Sequence, residues 1–239
     1  MYGVPRSALV VGVGGLGCPA ALSLAAAGVR RLTLIDPDVV ELSNLHRQPL
    51  HLDGDLGRRK VDSAAEKLRA AFPELALELR PERLTAANAE ALFAAHEVAM
   101  DCTDGVDTKF LLSDAAVLTG VPLVYAGVLR FEGLVMRVQP GGPCLRCLFE
   151  TAPADAPTCA QAGVLGSMAG LVGGLQAQVA LRPNAAVGLA QLHVLDGRAL
   201  SFRSINVRRR ADCPACGAGG KPVLSDEPCA STSPGRCAP

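Results

Sequence analysis

The chain of 239 residues carries 23 basic and 23 acidic residues, and 49% of its residues are hydrophobic. This length suits one large domain or two small ones, and the balanced charge argues against a global field that would attract DNA or a membrane surface. No segment approaches the roughly 18 apolar residues of a membrane span, and strand-like sequence begins almost at the N-terminus. We therefore expect no signal peptide, no transmembrane helix and a cytoplasmic protein.

Strand-like and helix-like runs alternate through the first half of the chain. In chain order the patterns predict strand Leu9–Val13, helix Leu16–Ala27, strand Leu32–Asp36, helix Gly57–Ala71, strand Leu75–Leu79, helix Ala86–Ala95, strand Val98–Cys102, helix Val106–Thr119 and strand Val121–Tyr125. This alternation is typical of an α/β fold with a doubly wound, Rossmann-like, mostly parallel sheet.

The second half of the chain has a different pattern. Gly133–Val138, Gln191–Leu195 and Leu200–Ile205 are predicted to add antiparallel strands to the sheet. The helix predicted over Val164–Leu181 is rich in Gly and Ala, which favours close packing against the sheet or a second copy of the chain. We expect residues 1–217 to form one domain and residues 218–239, which lack periodicity, to form a disordered tail.

A glycine-rich loop follows the first predicted strand and opens the first predicted helix. Its glycines are Gly12, Gly14, Gly15 and Gly17, and three of them have the Gly-x-Gly-x-x-Gly spacing of the dinucleotide fingerprint. Glycines let backbone N–H groups approach a phosphate, and the helix dipole favours the anion. Asp36 lies about 20 residues on, where an acid binds ribose hydroxyls. The pattern predicts a nucleotide site, and the alternative is a tight turn.

A polar segment after the second strand favours a triphosphate over NAD. It contains Asn44, Arg47 and Gln48, and Lys60 lies near the start of the next predicted helix. Arginine and lysine stabilise the charge of a transferring phosphoryl group, whereas hydride transfer has no comparable need. The segment therefore predicts ATP, and the alternative is a solvated loop with unrelated charges.

An acidic sequence, Asp101-Cys102-Thr103-Asp104, closes the fourth predicted strand. Ligands of an open α/β sheet bind at the carboxyl ends of its strands, and carboxylate oxygens suit Mg²⁺ shared with phosphates. Asp104 is therefore a candidate Mg²⁺ ligand. The alternative, which is compatible with it, is that Asp104 caps the N-terminus of the following helix.

Two Cys-x-x-Cys pairs lie in the second half of the chain. They are Cys144 with Cys147 and Cys213 with Cys216, each beside Pro or Gly. Four thiolates at this spacing predict a structural Zn²⁺ site, because four protein ligands leave no open coordination position.

Cys159 has no cysteine partner nearby and precedes the Gly-rich helix. A helix N-terminus lowers the pKa of a neighbouring thiol, which would suit a nucleophile that receives an acyl group or passes sulfur. The alternative is an inert loop thiol.

Seven segments together resemble the ThiF/MoeB/HesA family, the bacterial relatives of ubiquitin-activating enzymes. The segments are GVGGLGCP, DPDVVELSNLHRQ, Lys60, DCTDG, PCLRC, TCAQAGVLG and CPACG, in order from about Ala8 to Gly217. The resemblance implies an enzyme that binds Mg-ATP and adenylates the C-terminal Gly-Gly carboxylate of a small ubiquitin-like sulfur carrier, with release of pyrophosphate. A sulfur nucleophile then attacks the acyl-adenylate.

The resemblance also assigns roles to individual residues. Asp36 would hold the ribose, Asn44, Arg47 and Lys60 would engage the triphosphate, and Asp104 would bind Mg²⁺. Cys159 matches a position at which some members carry a reactive thiol. The family further implies a homodimer with one zinc ion per chain, and a sulfur donor such as a cysteine desulfurase or a rhodanese.

Three features depart from the family pattern. Members have an N-terminal helix whose arginine reaches the partner subunit's triphosphate, whereas only Met1–Ser7 precede the first predicted strand and Arg6 lies too close to it. Gly105 and Lys109 stand where Asn and Arg are common. No rhodanese-like sequence follows the second cysteine pair, so sulfur would come from another protein.

Three other functions are compatible with parts of the pattern. One is adenylation of modified tRNA, as in threonylcarbamoyladenosine dehydratases, although the chain has no added basic segment. The others are NAD-dependent oxidoreduction and a catalytically weak scaffold that binds nucleotide and a partner.

Overall fold

A computed structural model of the protein describes residues 3–149, 163–183 and 186–226. Its centre is an eight-stranded sheet in the order β3-β2-β1-β4-β5-β6-β7-β8. The strands are β1 Ser7–Val11, β2 Arg31–Ile35, β3 Ala76–Arg80, β4 Val98–Asp101, β5 Leu123–Leu129, β6 Glu132–Val138, β7 Leu189–Asp196 and β8 Ser201–Arg208. The pairs among β1 to β5 are parallel and those from β5 to β8 are antiparallel. The α/β prediction is confirmed.

Helices cover both faces of the sheet. They are α1 Gly17–Ala26, α2 Lys60–Ala71, α3 Ala86–Ala94, α4 Val106–Thr119, α5 Leu145–Leu148 and α6 Gly166–Ala180. One apolar core lies between the sheet and helices α1, α2 and α6, and a second lies between the sheet and helices α3, α4 and α5. The parallel strands β1, β2 and β4 are buried on both faces, as this layered arrangement requires, whereas the edge strand β3 is partly exposed.

Element boundaries differ from the predicted ones where glycine changes the backbone direction. Strand β1 ends at Val11 because Gly12 has a φ of +92°, and helix α2 begins only at Lys60 because Gly57 has a φ of +80°. Both values lie in the left-handed region that ordinary side chains avoid. Strand β5 begins after Pro122, and it is longer than predicted because it pairs with β6 along its whole length.

The Gly-rich helix α6 packs closely on α1 and on the sheet. A Cβ atom at Gly173 would lie 2.5 Å from the Leu16 carbonyl oxygen, so only glycine allows this approach. The amide of Gln176 donates to the carbonyl oxygens of Asp101 at 2.8 Å and Val124 at 2.9 Å, which ties α6 to the ends of β4 and β5. The close packing expected for this helix is present within the chain itself.

The segment after the last cysteine of the second pair lies against the second core. Leu224 packs against that core, and the Asp226 carboxylate accepts a hydrogen bond of 2.8 Å from the Ala86 backbone N–H. Residues 227–239 of the expected tail and the loop over Thr151–Cys159 lie outside the described residues. Along the described ranges, no helix combines the length and apolar character that crossing a membrane requires.

Candidate nucleotide site and metal centre

A cleft of about 690 Å³ lies at the carboxyl ends of the parallel strands. The strand order reverses between β1 and β4, and an open α/β sheet binds its ligands at such a switch point. Nine of the predicted site residues line this cleft: Gly12, Gly14, Gly15, Asp36, Asn44, Arg47, Gln48, Lys60 and Asp104.

The glycine loop turns sharply from β1 into α1. A Cβ atom at Gly12 would lie 2.6 Å from the Cys102 carbonyl oxygen, and one at Gly17 would collide with the Gly12 carbonyl oxygen. Gly17 therefore permits the turn but does not line the cleft. Gly14 and Gly15 do line it and leave room for the side chains of Gln48 and Arg47.

Asp36 is buried at the end of β2 and is held by two backbone donors. Its carboxylate accepts hydrogen bonds from the N–H groups of Val13 at 2.7 Å and Asp38 at 2.9 Å. Burial raises the pKa of Asp36, while Lys60 and the two N–H donors oppose this effect. Each oxygen keeps a lone pair, so the carboxylate can also accept from ligand hydroxyl groups.

A short 3₁₀ segment, Leu42–Arg47, forms one wall of the cleft. Glu41 accepts from the Asn44 amide at 3.2 Å, and the Asn44 oxygen accepts from the Arg47 guanidinium at 2.6 Å. This chain of contacts fixes Arg47 beside Gly15 through interactions within the segment. Nothing in the sequence pattern indicated that Glu41 takes part.

Lys60 and Gln48 differ in their partners. The Lys60 ammonium is buried and forms an ion pair of 2.8 Å with Asp38, whose side chain is 60% exposed. A phosphate that reached Lys60 would compete with this carboxylate. The side-chain oxygen of Gln48 is buried and has no hydrogen-bond partner among the described residues. It is therefore free to accept a hydrogen bond from a bound molecule.

Asp104 is exposed at the end of β4 and lines the cleft. Gly105, not Asp104, is the residue that caps α4, and no side-chain cap is formed there. The predicted N-capping role of Asp104 is therefore wrong. No described side chain donates a hydrogen bond to Asp104, so its carboxylate is available to a cation.

A buried ion pair beside Asp104 was not anticipated. Lys109 donates to both carboxylate oxygens of Asp101, at 3.2 Å each. Burial raises the pKa of Asp101, and the Lys109 charge opposes the shift. The sequence indicated only that Lys109 stands at a position where members of the family commonly have arginine.

His51 is a second residue that the sequence did not single out. Its Nε2–H donates to the Val13 carbonyl oxygen at 2.9 Å, and its Nδ1 accepts from the Ser63 hydroxyl at the same distance. Val13 belongs to the glycine loop and Ser63 to α2, the helix that begins with Lys60. His51 therefore holds two parts of the cleft together. Burial lowers its pKa and favours the neutral ring.

The four paired cysteines form one cluster. The sulfur atoms of Cys144, Cys147, Cys213 and Cys216 all lie within 4.8 Å of one another, with Cys144–Cys213 at 3.5 Å and Cys147–Cys216 at 3.4 Å. Zinc–sulfur bonds of about 2.3 Å in a tetrahedron place sulfur atoms about 3.8 Å apart, so this donor set fits Zn²⁺.

The electrostatics of the cluster also favour a cation. A hydrogen bond to Cys216 and burial raise the pKa of Cys144, and burial raises that of Cys147 to about 11. The same hydrogen bond from Cys144 lowers the pKa of Cys216 to about 5. Without a cation, the negative charge of one thiolate therefore suppresses ionisation of the neighbouring thiols. The positive charge of Zn²⁺ would offset this repulsion and allow the other thiols to ionise.

The structure thus brings the predicted nucleotide residues other than Gly17 into one cleft and the four cysteines into a separate cluster. Cys159, the proposed nucleophile, lies outside the described residues.

Comparison with known proteins identifies the family. The model of the ThiF family matches residues 6–215. The chain belongs to the ThiF family. The resemblance to ubiquitin-activating-enzyme-like adenylyltransferases is therefore confirmed.

Several curated relatives are similar over most of the chain. The chain is 40% identical over 227 residues to a SAMP-activating enzyme E1 of Haloferax volcanii, covering 91% of this chain and 83% of that protein. It is 47% identical over 225 residues to the adenylyltransferase and sulfurtransferase MOCS3 of Bos taurus, covering 91% of this chain and 49% of that protein. The chain spans about half the length of the MOCS3 and uba4 relatives it matches.

A solved structure shares the fold. Escherichia coli MccB, crystallised with MccA-N7isoASN, aligns with a TM-score of 0.77 and 16% identity, covering 89% of this chain and 67% of that chain. At this identity the likeness concerns the fold alone.

Proposed function

We propose that this ThiF-family chain adenylates the C-terminal Gly-Gly carboxylate of a small ubiquitin-like carrier protein at the expense of ATP. The observation that carries the proposal is the convergence of the glycine loop, Asp36, Arg47, Lys60 and Asp104 on one cleft. The printed names of the relatives, SAMP-activating enzyme E1 and adenylyltransferase, support the same reaction.

In the proposed reaction, a carboxylate oxygen of the carrier attacks the α-phosphorus of ATP. The bond from that phosphorus to the bridging oxygen breaks, and pyrophosphate leaves. Asp36 would orient the ribose by accepting its hydroxyl hydrogens, since its oxygens keep lone pairs after binding two backbone N–H groups. Arg47 and Lys60 would stabilise the charge that moves onto pyrophosphate.

Asp104 would hold Mg²⁺, which when bound neutralises phosphate charge. The carboxylate fits this role because it is exposed to the cleft and has no described partner. The four-cysteine cluster, none of whose cysteines lines the cleft, would hold Zn²⁺ as a structural ion.

The cleft is also lined by Gly127, Leu129, Glu132 and Leu134 from strands β5 and β6. We propose that the C-terminal Gly-Gly of the carrier reaches the phosphates along this wall.

Five expectations from the sequence stay predictions. They are the thiol of Cys159 as a sulfur or acyl acceptor, a cysteine desulfurase or rhodanese as sulfur donor, a homodimer, a domain over residues 1–217 and a cytoplasmic location. Adenylation of modified tRNA stays the alternative to the proposed function.

The proposal is tested by ATP–pyrophosphate exchange in the presence of candidate carriers that end in Gly-Gly. We expect carrier-dependent exchange, and we expect Asp104→Ala to lower its rate by about a hundredfold or more because the metal anchor is lost. Asp107→Ala is the matched control, since Asp107 is exposed on the first turn of the same helix and does not line the cleft. Unchanged exchange in Asp104→Ala would contradict the site, and exchange that depends on tRNA would favour the alternative.

A further inference from the structure

Lys109 uses all its hydrogen-bonding capacity between the end of β4 and the middle of β5. Besides the Asp101 carboxylate at 3.2 Å, its ammonium donates to the carbonyl oxygens of Thr103 at 2.8 Å and Ala126 at 2.6 Å. An ammonium has three donors, and these three acceptors satisfy them. Lys109 is 9% exposed. It is therefore occupied as a brace and is not a free charge for a phosphate.

The brace fixes the peptide that leads directly into Asp104. Asp101 accepts hydrogen bonds from the Thr103 backbone N–H at 3.2 Å and from its hydroxyl at 2.8 Å. Lys109 holds the carbonyl oxygen of the same Thr103, which belongs to the peptide bond between Thr103 and Asp104. The backbone before Asp104 is thus held from both sides, while the Asp104 side chain itself has no described partner.

The same contacts decide which acid at this strand end can meet a cation. Asp101 is fully buried and its charge is compensated by Lys109. Asp104 is exposed to the cleft and uncompensated by any described side chain. A divalent cation brought by a nucleotide would therefore encounter one available carboxylate at the end of β4.

We propose that Lys109 is a positioning residue that sets the Asp104 carboxylate in place for nucleotide-bound Mg²⁺. The inference rests on the proposed function for the identity of the ligand, ATP, but not on any transfer to a carrier. It assigns Lys109 an indirect role: although Lys109 also lines the cleft, its three donors are taken by protein acceptors, and its loss acts through the Thr103–Asp104 backbone.

The test is the affinity for ATP measured by calorimetry with Mg²⁺ and without added Mg²⁺, in both cases without a chelator so that zinc is retained. We expect Mg²⁺ to strengthen ATP binding by the unsubstituted protein. In Lys109→Met this strengthening should be about tenfold smaller, the equivalent of one charge-assisted contact, with affinity in the absence of Mg²⁺ nearly unchanged. Lys109→Arg should keep most of the strengthening, because a guanidinium can still bridge β4 and β5.

Two further variants separate positioning from loss of stability. Lys67→Met removes the same charge from a pair with Asp55, which is also buried but does not line the cleft, and should keep the full Mg²⁺ effect. The double variant Asp101→Asn/Lys109→Met leaves no unpaired buried charge and should lose the effect as Lys109→Met does.

A full Mg²⁺ effect in the double variant, or an equal loss in Lys67→Met, would overturn the role of Lys109. The protein could also bind ATP with a Mg²⁺ effect that requires Lys109 and yet show no carrier-dependent exchange. That result would support the positioning role of Lys109 and contradict the proposed adenylation of a carrier.

Discussion

At the residue scale, the cleft contains both polar groups that have a hydrogen-bond or ion-pair partner and polar groups that have none among the described residues. The Lys60 ammonium is paired with Asp38, whereas the Gln48 oxygen has no described partner. Nucleotide binding would therefore have two effects on these residues. It would compete with the exposed Asp38 carboxylate for the buried Lys60 ammonium, and it would give the Gln48 oxygen a hydrogen-bond partner.

Asp36 gives a prediction at this scale. In Asp36→Asn the side chain keeps one acceptor oxygen, but its amide nitrogen faces a backbone N–H or a ribose hydroxyl. We expect the affinity for ATP to fall about tenfold, since hydrogen bonds to a charged acceptor are lost. Asp53→Asn, at an exposed position, is the control. Equal affinities of the two variants by calorimetry would argue against Asp36 as the ribose ligand.

At the element scale, the cysteine cluster connects the antiparallel part of the sheet to helix α4. The Arg146 guanidinium, between the first two cysteines, forms a bidentate pair with buried Asp114 of α4, with its shortest contact at 2.7 Å. The Arg210 N–H, after β8, donates to the Cys147 sulfur at 3.4 Å. A metal ion in the cluster would thus join segments far apart in sequence and stabilise the second core.

Removal of the metal should therefore lower stability. Cys213→Ser, or treatment with a zinc chelator, should lower the Tm by about 10 °C, because several kcal/mol of metal binding are lost and each is equivalent to about 2–4 °C in a domain of this size. Metal content by mass spectrometry and Tm by calorimetry measure the effect. Cys18→Ala, at a buried cysteine outside the cluster, should keep one zinc ion per chain. Purified protein without zinc would show that the assignment is wrong.

The bounds of helices and strands could be predicted from the sequence where neighbouring residues determine them. Helix α4 has the predicted bounds, because a glycine precedes it and Gly120, with a φ of +72°, ends it. The contacts that brace the site were not predictable. His51 meets Val13 across 38 residues and Gln176 meets Asp101 across 75, and hydrophobic periodicity carries no information about such partners.

At the scale of the whole molecule, three buried histidines lie in different parts of the fold. Besides His51, His96 accepts from the Thr33 hydroxyl at 2.7 Å and donates to the Leu92 carbonyl oxygen at 2.6 Å. His193 lies in β7 beside Ser204 of β8. Burial lowers the pKa of all three histidines. Each ring therefore resists protonation in the folded protein more than in the unfolded chain.

This difference predicts how stability depends on pH. Below the unfolded-chain pKa of about 6.5, the unfolded chain binds protons that the folded protein excludes, so the free energy of unfolding falls as the pH falls through the lowered folded values. Burial raises the pKa of Asp36, Asp101 and Asp114, which has the opposite effect on stability at lower pH. A variant that removes one titrating histidine separates the contribution of that histidine from the contributions of the carboxylates.

His96→Gln supplies that comparison, because glutamine can accept and donate but does not titrate. We expect a lower Tm than that of the unsubstituted protein at pH 7.5 and a smaller decrease in Tm between pH 7.5 and 5.5. The carboxylates and the cysteine cluster are common to both proteins, so the difference in slope belongs to His96. Parallel Tm curves for His96→Gln and the unsubstituted protein would mean that His96 binds a proton equally well in the folded and unfolded states.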